Sequence, residues 1–203
     1  MTEHSGLRGK EKNIVLIGFM GSGKSSVGKK LSYKLKESFI DSDSMIEKRA
    51  GCSIAQIFAD KGENEFRDIE TKCIRELTEK KPGFIISTGG GMPLREENRK
   101  LLRKIGKVVY LKAEPETIYE RIKDDTSRPL LRSEDPQKKI REMMNERSSI
   151  YEEAADITVI TDGKSCREIA DEIAAAVGIE PITKRQAINK AASKAPVKVS
   201  ITL

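Results

Sequence analysis

"GFMGSGKSSVGKKL", residues 18–31, follows the apolar run "NIVLI" (13–17) and leads into a charged, helix-forming stretch. Gly18, Gly23, Lys24 and Ser25 stand at the spacing G-x-x-x-x-G-K-[ST]. Glycines at these places let the backbone wrap so that its N–H groups point inward at phosphate oxygens. The helix that follows offers its N-terminus to the same anion. Lys24 is placed to reach the β- and γ-phosphates, and Ser25 to give a hydroxyl to Mg²⁺. A glycine-rich turn that binds nothing is the alternative. The order strand, loop, helix favours the cradle.

Outward from the loop, apolar runs alternate with helical patterns. Strands are expected at "NIVLI", "SFIDSD" (38–43), "FIIS" (84–87), "KVVYL" (107–111) and "DITVI" (156–160). Helices are expected over 24–36, 63–80, 94–105, 114–123, 136–154 and 165–177. Ser53 and Gln56 are spaced as a capping box that opens a further short helix. Pro82-Gly83 and Gly106 are stop signals. Such alternation predicts a parallel five-stranded sheet with helices on both faces, a three-layer α/β fold. Strands without polar alternation fit a sheet covered on both sides. Ligands of such sheets sit at the carboxyl ends of the strands. There the loop after Ile17, the acids after Ile40 and the glycines after Ser87 fall on one edge, with the segment after Lys123.

Asp41-Ser42-Asp43 has two readings. On an extended chain, acids at i and i+2 point the same way, one toward a metal-bound water and one toward an acceptor hydroxyl. Otherwise Asp43 caps a helix around Met45–Lys48. Gly89-Gly90-Gly91 removes three side chains where a small substrate meets backbone, or makes a flexible turn. Arg67 in "GENEFRDIE" and Arg147 in "NERSSIYEEAAD" are site cations or ordinary surface partners. Arg128, in "TSRPLLR", lies in a polar stretch long enough to be a lid over phosphate, or a plain loop.

Composition removes several classes. The chain has 203 residues and a net charge of +6. Residues 181–203 hold five basic residues and no acid, and residues 1–12 three basic and two acidic, so 13–180 holds thirty of each. The central part has no bulk bias toward a polyanion. The single histidine, His4, lies in a polar leader, which leaves no histidine chemistry or His-ligated metal. Cys52, Cys73 and Cys166 are odd in number and lack CxxC spacing, unlike a zinc site or disulfide scaffold. No run is long and apolar enough for a membrane span. A cytoplasmic monomer, bound to neither nucleic acid nor membrane, is expected.

The set and order of motifs resemble the shikimate kinase family, small P-loop kinases related to the nucleoside monophosphate kinases. The resemblance runs over roughly 13–177: the phosphate loop, "DSD", "EFR", "GGG", "RPLL" and "ER-x-x-x-Y-x-x-x-A". It implies the P-loop kinase fold with a lid at about 124–135, flanked by a leader (1–12) and a basic extension (178–203). It implies transfer of phosphoryl from ATP, with Mg²⁺, to the 3-hydroxyl of shikimate. Gly21, Ser22, Gly23, Lys24, Ser25 and Ser26 would hold ATP. Ser25 would bind the metal directly and Asp41 through water. Asp43 would hold the acceptor hydroxyl, with Lys24 and Arg128 on the phosphates. Arg67 and Arg147 would clamp the carboxylate, and Gly89, Gly90 and Gly91 would line the substrate. Arg121 would stack on adenine. The family often has a proline on the base's other face; the corresponding "TDGKSCRE" (161–168) has none. A kinase for another small acid, such as gluconate, is the nearest alternative. A regulatory or nucleic-acid-associated module using the basic tail is the distant one.

Overall fold

The computed structural model describes residues 13–125 and 133–178. Five strands form one parallel sheet: β1 (Ile14–Ile17), β2 (Ser38–Asp41), β3 (Phe84–Ser87), β4 (Lys107–Lys112) and β5 (Ile157–Ile160), in the order β2-β3-β1-β4-β5. Central strand β1 is fully buried. Val15 and Ile17 feed one core, Ile14 and Leu16 the other. β3 and β4 divide the same way, Phe84, Ile86, Val108 and Tyr110 against Ile85, Val109 and Leu111. Both faces are apolar, which is why these strands read as unbroken runs.

Helices α1 (Lys24–Leu35) and α7 (Cys166–Ala176) cover one face; α3 (Ile54–Leu77), α4 (Glu96–Ile105), α5 (Pro115–Ile122) and α6 (Pro136–Ala154) contribute to the other. A short α2 (Ser42–Ala50) packs on α3 through a third cluster around Ile46, Ile57, Phe66 and Cys73. No helix among the described residues is long and apolar enough to cross a membrane.

Four local expectations change. Ser53 does cap α3, accepting from Gln56 N–H at 3.2 Å. The box is not reciprocal, because the Gln56 amide donates forward to Asp60 at 2.8 Å. The two helices expected around Ser53 and Glu63 form one run, broken at Gly62, whose φ of 77° and ψ of 175° leave the helical region. That run ends at Leu77, ahead of Pro82-Gly83, where the Thr78 hydroxyl donates to the Arg75 carbonyl. The segment before α4 is a 3-10 turn (Met92–Leu94).

Register then positions the chemistry. Leu16 pairs with Ser87, and Asp41 with Ser87. The ends of β1, β2 and β3 therefore stand at one level.

Candidate active site

Gly21 and Gly23 hold φ of 75° and 93°, a region that side chains resist. A Cβ on Gly21 would also lie 2.7 Å from the Ile122 side chain, so the loop is seated against α5. Ser22 N–H closes the loop onto the Phe19 carbonyl at 3.2 Å. Helix α1 starts after Gly23 with no side-chain cap, which leaves its first N–H groups for an anion. The Ser22 hydroxyl is buried without a partner among the described residues, as a group kept for phosphate would be. Lys24 is nearly buried, and its Nζ donates to the Gly18 and Phe19 carbonyls at 2.8 Å each. Ser26 is exposed beside it on the first turn of α1.

Beside the loop, the Ser25 hydroxyl donates to Asp41 Oδ2 at 2.8 Å and lies 3.1 Å from the Ser87 hydroxyl. Three oxygen donors thus meet in the cleft. The other Asp41 oxygen accepts from Asp43 N–H at 3.1 Å and Ser44 N–H at 3.2 Å. Asp41, and not Asp43, is the cap of α2. The chain turns helical right after Asp41, so the extended i, i+2 geometry does not apply. Both carboxylates nevertheless line the same cleft of about 550 Å³. Burial, then the neighbouring Asp41 charge, pushes the Asp43 carboxyl above its ordinary range, while Lys24 pulls it back.

The glycines serve the site's own side chains as well as any ligand. A Cβ on Gly89 would lie 2.7 Å from Asp43 Oδ1 and 3.0 Å from Glu70 Oε1. One on Gly91 would collide with the Arg67 guanidinium. One on Gly90 would press on the phosphate-loop backbone, 3.4 Å from Met20 N. Arg67 is mostly buried and paired with Glu70 at 2.6 Å and Glu63 at 2.9 Å. Burial works against its charge, but the two carboxylates outweigh that and hold its pKa above the ordinary arginine value. Arg147 is half-buried and stands over the Phe19 ring, 5.8 Å from its centroid. Asp43 and Gly90 line the cleft, whereas Arg67 packs behind Gly91.

Arg121 donates to the Thr161 hydroxyl at 3.0 Å, the Thr161 carbonyl at 2.9 Å and the Gly21 carbonyl at 3.4 Å. Its plane is thereby fixed at the far end of the cleft, whose lining there includes Lys164, Ser165 and Cys166. These stand where the sequence offered no proline. Arg128 lies outside the described residues, as does most of the expected lid.

Two residues escaped the sequence reading. Ser42, 1% exposed, accepts from Gly89 N–H at 2.9 Å and lies 3.4 Å from Asp43 Oδ1. Glu70 is buried; one oxygen holds Arg67 and the other has no partner among the described residues. Burial raises its pKa, Arg67 opposes this, and the Asp43 charge adds to the rise. A signal existed for Glu70. It falls on the α3 stripe with Phe66, Cys73, Ile74 and Leu77, where a carboxylate needs a buried cation.

A phosphate-loop backbone and Asp43 in one cleft, with the Arg67–Glu70 pair packed against the adjoining Gly89–Gly91 backbone, give the layout of a P-loop phosphotransferase. The chain belongs to the shikimate kinase family: the family model for shikimate kinase matches residues 20–178. A shikimate kinase of Thermodesulfovibrio yellowstonii is 48% identical over 162 residues, 80% of this chain and 92% of that protein. Among solved structures, a shikimate kinase from Acinetobacter baumannii in complex with shikimate superposes with a TM-score of 0.77 at 38% identity, covering 82% of this chain and 92% of that one. One from Aquifex aeolicus gives 0.70 at 42% identity, covering 82% and 96%.

Proposed function

We propose that this protein transfers the γ-phosphoryl group of ATP to the 3-hydroxyl of shikimate. The observation that carries the reading is the seating of Arg67 over Gly91, fixed by buried Glu70, beside Asp43 and the phosphate loop. The bond formed joins the acceptor oxygen to γ-phosphorus, the bond broken frees ADP, and the hydroxyl proton leaves toward Asp43.

The loop N–H groups of Gly21 to Ser26 and Lys24 hold the β- and γ-phosphates. Arg121 flattens on the base, with Lys164–Cys166 as the opposite wall. Arg67 and Arg147 hold the carboxylate by paired N–H donors, over the backbone of Gly89, Gly90 and Gly91. Arg128 closes on the transferring phosphoryl. The cluster of Ser25, Asp41 and Ser87 is all hard oxygen, which suits Mg²⁺. Ser25 would hold the ion directly and Asp41 through water. When bound it neutralises charge on the phosphates. Asp43 keeps the acceptor hydroxyl in line, because its carboxyl lines the cleft with the phosphate loop and faces Gly89, next to the Arg67–Glu70 pair.

ADP release measured over a panel of hydroxy acids tests this. Turnover is expected with shikimate and not with gluconate, which lacks the rigid ring that sets a carboxylate and a hydroxyl at a fixed span. Turnover with gluconate alone, or ATP binding with no acceptor turnover, overturns it.

Arg67→Lys is a sharper probe of the acceptor. Lysine keeps the charge that Glu70 needs but loses the planar fork. One hydrogen bond to a charged group is worth about 1.5–3 kcal/mol, so the shikimate KM is expected to rise about 10- to 150-fold. The ATP KM should stay put, since the nucleotide rests on residues 18–26. A shikimate KM within twofold of the parent removes Arg67 from the site.

A further inference from the structure

Helix α6 carries two side chains one turn apart, Arg147 and Tyr151, and residues at i and i+4 share a helix face. Tyr151 is 1% exposed, and its ring packs on Tyr110 with centroids 5.2 Å apart. A phenol so deep in an apolar core needs a partner for its hydroxyl. It donates to the Gly90 carbonyl at 2.6 Å. Gly90 in turn lies against the phosphate loop, close to Met20 N and the Gly18 carbonyl. Arg147 reaches the same loop by another route, over the Phe19 ring. Burial pushes the Tyr151 phenol above 10.0, while the charge and N–H groups of Arg147, and the charge of Arg67, pull it down. The hydroxyl thus holds the middle glycine, with Arg147 one turn away on the same helix face.

We propose that Tyr151 is a positioning residue for phosphoryl transfer: its hydroxyl fixes the Gly90 carbonyl and the Arg147 guanidinium against the phosphate loop, and so sets the acceptor's carboxylate pocket at the right distance from the donor phosphate. The proposal rests on the shikimate kinase reading above. It makes Tyr151 part of the site without contact to either substrate. Its ring anchors α6 in the core, and its oxygen carries the alignment.

The test is Tyr151→Phe, which keeps the ring and removes only the oxygen. The Gly90 carbonyl then loses a buried partner, a loss that commonly costs about 5- to 150-fold in an equilibrium. The shikimate KM is expected to rise by about 5-fold or more, with a fall in kcat, while the ATP KM stays within twofold. Tyr110→Phe trims the other phenol of the same ring pair and should leave the shikimate KM unchanged. A purely structural role would instead lower the melting temperature and the active fraction, with both KM values intact; that result overturns the proposal. So does a shikimate KM in Tyr151→Phe within twofold of the parent. The double variant Arg147→Lys/Tyr151→Phe gives an independent check. If the two groups act as one device, its effect on shikimate KM is smaller than the product of the single effects; an effect equal to the product overturns the coupling. A parent with no shikimate turnover sinks the functional reading and this proposal together, whereas a working parent with an indifferent variant sinks the proposal alone.

Discussion

Asp43→Asn is expected to lower kcat by about 10²- to 10⁴-fold and, at neutral pH, to raise the melting temperature. Both effects come from one placement. The carboxyl is half-buried, faces Asp41 and Glu70, and accepts from the Ser42 hydroxyl at 3.4 Å. Burial and the Asp41 charge raise its folded pKa above the ordinary 3.8, against the pull of Lys24. The folded state therefore holds the Asp43 proton more tightly than the unfolded state does. Stability tied to this group is full below the unfolded value and is lost as pH climbs through the folded one, so at neutral pH the ionised carboxylate is a cost. Asparagine keeps the shape and removes the charge. Its advantage in melting temperature should be present at pH 7 and vanish below the unfolded pKa, where aspartate is neutral in both states. The activity of the parent should rise as pH passes the folded Asp43 pKa, and the residual activity of the variant should lack that limb. The rate loss follows because an amide cannot take up the acceptor's proton, although a loose transition state asks little of a base. A variant that keeps its turnover, or one destabilised at pH 7 and equally so in acid, would show that Asp43 serves the fold instead.

That trade-off explains what the sequence disclosed and what it withheld. The phosphate loop was legible because Gly, Lys and Ser at fixed offsets have few other uses, and because β1 announces itself as a run buried on both faces. The DSD segment was half legible. Its acids reach the cleft, but the extended geometry assumed for them fails at Asp41, whose side chain takes two N–H groups and starts α2. Whether an acid ends a strand or caps a helix depends on where the next N–H groups point, and no spacing encodes that. The glycine triplet was legible as a place without side chains. The occupants of the room it leaves, Asp43, Glu70 and Arg67, come from β2–α2 and α3, so only the fold could name them. Ser42 and Glu70 stayed hidden for the same reason: a serine between two acids and a glutamate on a charged helix look solvated until the sheet register brings Gly89 over them. Tyr151 was visible as a motif letter, but its tie to Gly90 spans 61 positions.

Lys24→Ala is expected to lower turnover by at least about 10²- to 10³-fold, the scale seen when one preorganised donor to developing negative charge is removed. In the folded chain the Lys24 Nζ bonds the Gly18 and Phe19 carbonyls, so the ammonium is already inside the loop. Phosphate binding thus needs only a short redirection of this cation, and little ordering is left for the moment of transfer. The same bonds mean that the alanine variant also loses stability. Both bonds are buried, and the alanine variant leaves the two carbonyls without this donor, so the net loss is expected near 1–3 kcal/mol, roughly 2–12 °C in melting temperature for a chain of this size. That is too small to account for a hundredfold drop in rate at 25 °C, so a folded, inactive variant is the expected result. Charge coupling supplies a second readout. Lys24 holds the Asp43 pKa down against burial and Asp41. Without it, the acid limb of the residual activity should move to higher pH. A variant with near-parental turnover would remove the phosphate-cradle assignment. A variant that is inactive with its acid limb unmoved would retain the cradle but break the link between the donor phosphate and the acceptor carboxylate.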